Sequence, residues 1–271
     1  MKSQRSNTSA GAKRRASSPG SNDWWLDFFP EFRPVFNIVD RRTTDAQVRY
    51  LVRKLNLRRG RSFLDCPCGI GRIALPLAAK GIRVTGVDIT QMYLDEVAEK
   101  ARQRRLPVTL LRSDMREIPF RGQFDTAGNL WTSFGYFPSV ADDQKVLERM
   151  HRALRPGGRF VLHVINRDWI MAHFQARDWF VTGGMRVLEE RRFDYAASQI
   201  HSVWTFIRDG KAATHKSTIR MYSYHELAAM MEEAGFIDVE GFGSMKDDPI
   251  SRDTMMMFVF GTKPMKRSRG R

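Results

Sequence analysis

The segment Phe63-Leu-Asp-Cys-Pro-Cys-Gly-Ile-Gly-Arg-Ile-Ala74 joins an apolar strand end, an acid and a turn with two glycines to the start of a helix. Such a turn lets backbone approach a ligand closely. Gly69, Gly71 and Ala74, with Asp88 further on, loosely match a dinucleotide fingerprint. Charge argues against a dinucleotide. Asp65 stands at the mouth of the turn, where it would repel a diphosphate by roughly a few kcal/mol in a partly buried site. It suits a cation instead. Asp88, ending the second strand, is placed to accept both hydroxyls of a ribose, as an acceptor-only carboxylate can. Asp114 of Ser113-Asp114-Met115, ending the third strand, is placed to accept from an adenine amino group, with Met115 packing the ring. Three acids at three successive strand ends describe a site for a nucleoside with positive charge and no phosphate. In open α/β sheets, ligands lie at those carboxyl ends.

The elements that must carry these residues follow from periodicity. Phe63-Leu64, Arg83–Asp88, Val108–Leu111, Phe124–Asn129 and Arg159–Ile165 read as strands. Helical stripes lie between them, at Ile73–Ala79, at Leu94, Val97, Ala98 and Ala101 behind an N-cap at Thr90, and at Val146, Met150 and Ala153. Arg155-Pro-Gly-Gly158 stops the last of these helices. This alternation predicts a parallel sheet covered on both faces. After strand five the pattern changes. Met185–Phe193, Gln199–Arg208 and Ala212–Tyr222, with Asp209-Gly210 as a tight turn, read as an antiparallel insertion over 185–222 that caps a pocket or mediates a dimer. Ser223 and Glu226 then form a capping box for a helix ending at Gly235. Strands Ile237–Phe242 and Met255–Gly261 complete seven. Upstream, Asp23–Leu55 reads as helical and rich in aromatic residues.

The motifs in this order resemble the class I S-adenosylmethionine-dependent methyltransferases over residues 24–264. They are Leu64-Asp65-Cys-Pro-Cys-Gly69-Ile-Gly71, Val84-Thr-Gly-Val-Asp88, Ser113-Asp114-Met115, Phe124–Leu130 and Leu154-Arg-Pro-Gly-Gly-Arg-Phe160. The resemblance implies an α/β, Rossmann-like, doubly wound and mostly parallel seven-stranded sheet with the antiparallel insertion after strand five. It also implies S-adenosylmethionine as cofactor, which carries a sulfonium, an ammonium and no phosphate. The cofactor-binding residues expected are Asp65, Gly69, Gly71, Asp88, Ile89, Asp114 and Met115, with Asn129 and Leu130 at the methionine end and Arg42 on the cofactor's carboxylate. The chain departs from the family pattern at Pro67, which replaces a glycine and donates no N–H. Trp131–Phe137 is an aromatic loop in the right place to meet an acceptor. Tyr136 and His163 are the candidate catalytic groups, His163 being equally readable as a buried structural histidine.

Cys66 and Cys68, one residue apart, are poor zinc ligands and no disulfide framework, so no metal is expected and a reduced, cytoplasmic setting is. No run of apolar residues is long enough to span a membrane. The net charge of +15 is concentrated at the ends: residues 1–22 and 263–271 carry ten cations and no acid, leaving +5 for the body. The termini read as disordered basic tails flanking a methyltransferase domain at 23–262, either solvating or touching nucleic acid weakly through phosphates. The base amino-methyltransferase motif is absent after strand four, where Asn129-Leu-Trp-Thr stands, and Glu189-Glu190 falls in the wrong place for a protein arginine methyltransferase hairpin. The expected partner is a small-molecule acceptor methylated at N or O by a monomer or homodimer. An RNA-directed methyltransferase or RNA-binding protein, or less favourably an NAD-dependent oxidoreductase, remains open.

Overall fold

The computed structural model describes residues 23–265. The expected tail over 1–22 lies outside the described residues, as does 266–271 of the expected C-terminal tail. The body continues past the expected boundary at 262, because Lys263 Nζ donates to the carbonyls of His151 and Leu154.

The helical start divides into α1 (Trp25–Phe32), a 3-10 turn (Arg33–Ile38) and α2 (Arg41–Lys54). Pro34 falls near the start of the 3-10 segment, and Asp40 starts α2 by accepting from the Thr43 amide at 2.6 Å. β1 (Ser62–Asp65), α3 (Ala74–Ala79), β2 (Arg83–Asp88), α4 (Gln91–Gln103), β3 (Val108–Arg112), β4 (Phe124–Asn129), α5 (Val140–Ala153) and β5 (Leu154–Ile165) then alternate. Strand five begins earlier than expected: Leu154 pairs with Phe124, and a register shift lets the chain absorb Pro156-Gly157-Gly158 before Arg159 pairs with Thr126.

After α6 (Arg167–Ala172) comes a second sheet of β6 (Arg177–Thr182), β7 (Met185–Asp194), β8 (Gln199–Arg208) and β9 (Lys211–Arg220), all antiparallel neighbours. It starts at Arg177 rather than Met185. Thr182-Gly-Gly-Met185 closes a further hairpin with both glycines at positive φ, and Gly-Gly is a two-residue turn signal that the sequence reading passed over. The chain returns through α7 (Tyr224–Glu233), where the Ser223–Glu226 capping box is present, and ends with β10 (Ile237–Phe242) and β11 (Met256–Thr262).

The main sheet has the order β10-β11-β5-β4-β1-β2-β3, with β11 antiparallel to both its neighbours and the rest parallel. β1 is buried along its whole length between β4 and β2, and its last residue is Asp65. Large aliphatic and aromatic side chains such as Leu64, Val87, Leu147 and Phe160 fill one face, and Phe63, Leu77, Val161 and Phe258 the other. The second sheet is held on by Phe28 and Val35, which pack with Met185, Val187 and Phe206.

Candidate active site

A cavity of about 640 Å³ lies between the carboxyl ends of the central strands and the inner face of the second sheet. Aromatic side chains of α1, of the residue before it and of the 3-10 turn close its flank: Trp24, Phe28, Phe29 and Phe36 all line it. Its volume falls within the range that holds a cofactor-sized ligand, ~300–1,000 Å³.

At one end stand Asp65, Asp88, Asp114 and Met115, with Gly69 and Ile89 between them. The turn after β1 is stitched to its neighbours. The Cys66 amide donates to Gly128 O at 3.0 Å, that of Cys68 to Val87 O at 2.8 Å, and that of Gly71 to Cys68 O at 3.0 Å. The Gly69 amide donates to Asp88 Oδ2 at 2.8 Å. Those four donors are therefore taken, and Pro67 has none, so these positions offer no free amides to a diphosphate. Asp88 Oδ1 accepts from the Thr90 amide at 2.8 Å. Each Asp88 oxygen keeps a second acceptor position. Burial raises Asp88, and the amides of Thr90 and Gly69 oppose that shift. Asp65 is 2% exposed. Burial pushes its carboxyl up to about 7 against the pull of the Arg72 guanidinium. An arriving cation would favour its ionised form. Asp114 holds Arg116, whose Nη2 donates to Oδ2 at 2.7 Å and whose amide donates to Oδ1 at 2.8 Å, so a ligand must share that carboxylate.

Other expected residues fall differently. Leu130 and Tyr136 line the cavity, but Gly71, Asn129, Arg42 and His163 do not. Gly71, at φ +76°, is needed because a Cβ there would meet Val97 at 2.9 Å; it lets the turn pack on α4. Asn129 is fully buried, its Nδ2 donating to Ser133 O at 3.3 Å while Oδ1 has no described partner. Arg42 is exposed, in the first turn of α2 that Asp40 caps. The inward residues Thr44 and Gln47 instead meet Arg72, whose Nη1 donates to Gln47 Oε1 at 2.8 Å. Arg72 lines the cavity and lies with its guanidinium carbon 5.5 Å from the centre of the Trp131 ring. Sequence reasoning missed it, although it sits inside the glycine motif itself.

His163 is walled in. Its ring stacks on Phe258 at 4.1 Å, and Nδ1 accepts from Gln47 Nε2 at 3.2 Å and from the Trp131 amide at 3.3 Å. Burial, then the charge of Arg72, pushes it down to about 3, so the imidazole is neutral. Its carbonyl also accepts from the Thr132 amide at 2.9 Å. Trp131 and Thr132 both have positive φ, a costly conformation for such residues, and the two contacts from His163 hold them there. Cys66 and Cys68 are buried free thiols, raised well above their ordinary values by burial, and act as packing.

The far end of the cavity is the inner face of the second sheet. Glu189 is paired across strands with Asp178 and Trp204, and Ser202 with Arg191 and Ser217. Glu189, 5% exposed, accepts from Ser202 Oγ at 2.8 Å and from the Arg191 guanidinium. Trp204 Nε1 donates to Ser217 Oγ at 3.0 Å. All six side chains line the cavity, and the two acids and one base among them make this end polar.

The site is thus a doubly wound sheet with carboxylates at or just beyond the ends of its first three strands, beneath a separate capping sheet. A family model described as a methyltransferase domain matches residues 63–158. The chain is 36% identical over 191 residues to the putative methyltransferase YqeM of Bacillus subtilis, covering 64% of this chain and 72% of that protein. Its fold is similar to an S-adenosylmethionine-dependent methyltransferase of Clostridium acetobutylicum, with TM-score 0.73 and 18% identity over 89% of this chain and 99% of that one. It is also similar to the sugar N-methyltransferase KedS8 of Streptoalloteichus, with TM-score 0.63 and 17% identity over 96% and 100%. The chain belongs to the class I S-adenosylmethionine-dependent methyltransferases, and its cofactor is S-adenosylmethionine.

The chain's own residues fit that cofactor. Open acceptor positions on Asp88, the buried Asp65, and a turn in which the amides of Cys66, Cys68, Gly69 and Gly71 are spent on protein oxygens all suit a phosphate-free cationic nucleoside. No described helix is long and apolar enough to cross a membrane.

Proposed function

We propose that the protein methylates a small amphipathic molecule at a nitrogen or oxygen atom. One observation carries this reading: a single cavity runs from the three acids to the second sheet, with an aromatic flank and a polar far end. A cavity of that size has room for the cofactor and one compact acceptor.

Asp88 binds the ribose hydroxyls and Asp65 faces the cofactor's ammonium group. Asp114 shares its carboxylate with the adenine amino group, with Met115 and Ile89 against the ring. Leu130 packs the methionine end. Arg72 takes the role that the sequence suggested for Arg42, holding the cofactor's carboxylate while Gln47 and Trp131 fix its guanidinium. When bound, S-adenosylmethionine supplies an electrophilic methyl group for in-line displacement. The protein supplies alignment and exclusion of water. Tyr136, whose hydroxyl burial keeps protonated, positions the acceptor as a hydrogen-bond donor. Glu189 and Arg191 bind the acceptor's polar end. Their patch, with Asp178, carries one net negative charge and favours an amine or polyol. The fold likeness to KedS8, named a sugar N-methyltransferase, is in keeping with such an acceptor.

The test is a methyl-acceptor screen with the full chain and labelled cofactor. Transfer to amino sugars or comparable small amines and alcohols is expected. Transfer to RNA or protein, with none to small molecules, would overturn the reading.

A further inference from the structure

The amino ends of β5, β4, β1, β2 and β3 form the edge of the main sheet opposite the cavity, since these five strands are parallel neighbours. Each loop leading into them is basic. The loop before β1 carries Arg58, Arg59 and Arg61, and that before β2 carries Lys80 and Arg83. Arg104 and Arg105 precede β3, and Arg121 precedes β4. The last turn of α5 and the irregular start of β5 add Arg152, Arg155 and Arg159. Segments 56–61, 80–83, 104–107, 121–123 and 152–159 together contain no acid.

The acids that reach this edge are already engaged. Asp125 takes Arg61 and Arg155, and Glu240 takes Arg159. Arg58, Arg59, Lys80, Arg83, Arg104, Arg105 and Arg121 are exposed, and no described acid pairs with them. The basic run stops at β10, where Glu232, Glu233 and Asp238 stand. It is therefore a bounded stripe rather than a general surface excess. The described chain also leaves from this edge, with Met265 beside Gly157, so the cations at 266–271 extend the same charge in sequence.

We propose that this edge binds the phosphodiester backbone of a nucleic-acid duplex. Arginine dominates the stripe, and its planar fork matches phosphate oxygens. Five loops on neighbouring strands span about 19 Å, at about 4.8 Å per strand. That length faces about six phosphates of one strand at about 3.4 Å rise each. The exposed loop residues include no aromatic side chain on which single-stranded bases stack. Met265 and Ile237 are the large apolar side chains exposed near it among the described residues, too few for insertion into a lipid surface. The stripe lies across the sheet from the cavity, so the duplex is a docking partner and not the methyl acceptor.

The experiment uses the full chain and fluorescein-labelled 20-base-pair RNA and DNA duplexes, with a U20 strand and phosphatidylserine vesicles as comparators. Anisotropy titrations are expected to show duplex affinity falling roughly 10³-fold between about 50 and 200 mM salt. Combined Arg58→Glu, Arg59→Glu, Arg104→Glu and Arg105→Glu substitutions should weaken binding at least tenfold and flatten the salt slope by about four. Cofactor affinity should not change, which separates this result from any failure of the acceptor reading. A chain lacking residues 1–22 and 266–271 should retain duplex binding. Loss on tail removal with an unaffected fourfold variant, absence of duplex binding, or preference for U20 or vesicles would each overturn the proposal.

Discussion

The Gly69 amide donates a 2.8 Å hydrogen bond to Asp88 Oδ2, so the acid that ends β2 holds the turn that follows β1. The same carboxylate receives the Thr90 amide on its other oxygen. Asp88 thus shapes the loop and still presents acceptor positions to the cavity. Asp88→Ala should weaken S-adenosylmethionine binding by about 1–3 kcal/mol, since ribose hydroxyls would be left unpaired. Asp88→Asn keeps a single acceptor oxygen, so it can hold only one of the two loop amides and should also weaken binding. Calorimetry on both variants checks this, and unchanged affinity in Asp88→Ala would remove Asp88 from the site.

Asp65 gives a pH dependence with a definite sign. Its carboxyl is raised to about 7 by burial, and a cationic cofactor favours the ionised form. Below about pH 7 binding must release a proton, so affinity should rise with pH and level off above 7. Proton release, read by calorimetry in buffers of different ionisation enthalpy, should vanish above that plateau. Asp143 is likewise raised to about 6 by burial. Both groups bind protons more tightly folded than unfolded, so their contribution to the stability of the cofactor-free protein should fall as pH rises from about 4 to 7. A melting temperature that rises across that window in Asp65→Asn less than in the parent would contradict the assignment.

Arg72 and Arg42 separate cleanly by experiment. Arg72→Ala removes the one arginine of the pair that lines the cavity and leaves Gln47 Oε1 without its donor. Cofactor affinity should drop about tenfold or more, as expected for a charge-assisted contact. Arg42→Ala alters an exposed residue and should leave affinity within about twofold. The reverse order of effects in a paired titration would restore Arg42 to the site.

His163 should act on the loop and not on protons. His163→Phe removes the acceptor of the Trp131 amide and should destabilise the fold by about 1–3 kcal/mol. The rate–pH profile of any residual activity should keep its shape, because the imidazole is already neutral above about pH 3. Loss of an ionisation near pH 6–7 from the profile would show that His163 is a base after all.

Glu189→Gln keeps a hydrogen-bonding group beside Ser202 but removes the charge paired with Arg191. For a small amine acceptor, KM should rise several-fold with kcat and cofactor affinity little changed, the pattern of lost ground-state binding. Equal loss in cofactor binding would place Glu189 outside the acceptor end.

Which features were legible in the sequence depended on how local their causes are. Asp65 and Asp88 end their strands and Asp114 follows β3 by two residues, so a short apolar run leading to an acid is enough to bring them to one sheet edge. The Ser223–Glu226 cap and the Asp209-Gly210 turn are likewise decided within four residues. Arg42 and Arg72 both lie near a helix start, and only the packing of whole elements decides that Arg42 is exposed while Arg72 lines the cavity. His163 was ambiguous for the same reason: a strand residue alternates faces, and which face meets the cavity depends on what packs there, here Phe258 and Gln47.

By itself the chain's order of residues determined the doubly wound sheet, the acids at its carboxyl ends and a phosphate-free cationic cofactor, all set by periodicity, turn chemistry and charge over short spans. Tertiary structure alone decided that the second sheet closes over those acids, that Glu189 and Arg191 become the polar end of the same cavity, and that scattered arginines gather on the opposite edge. Those outcomes join residues tens to more than a hundred positions apart, and only the packing of whole elements fixes such distances.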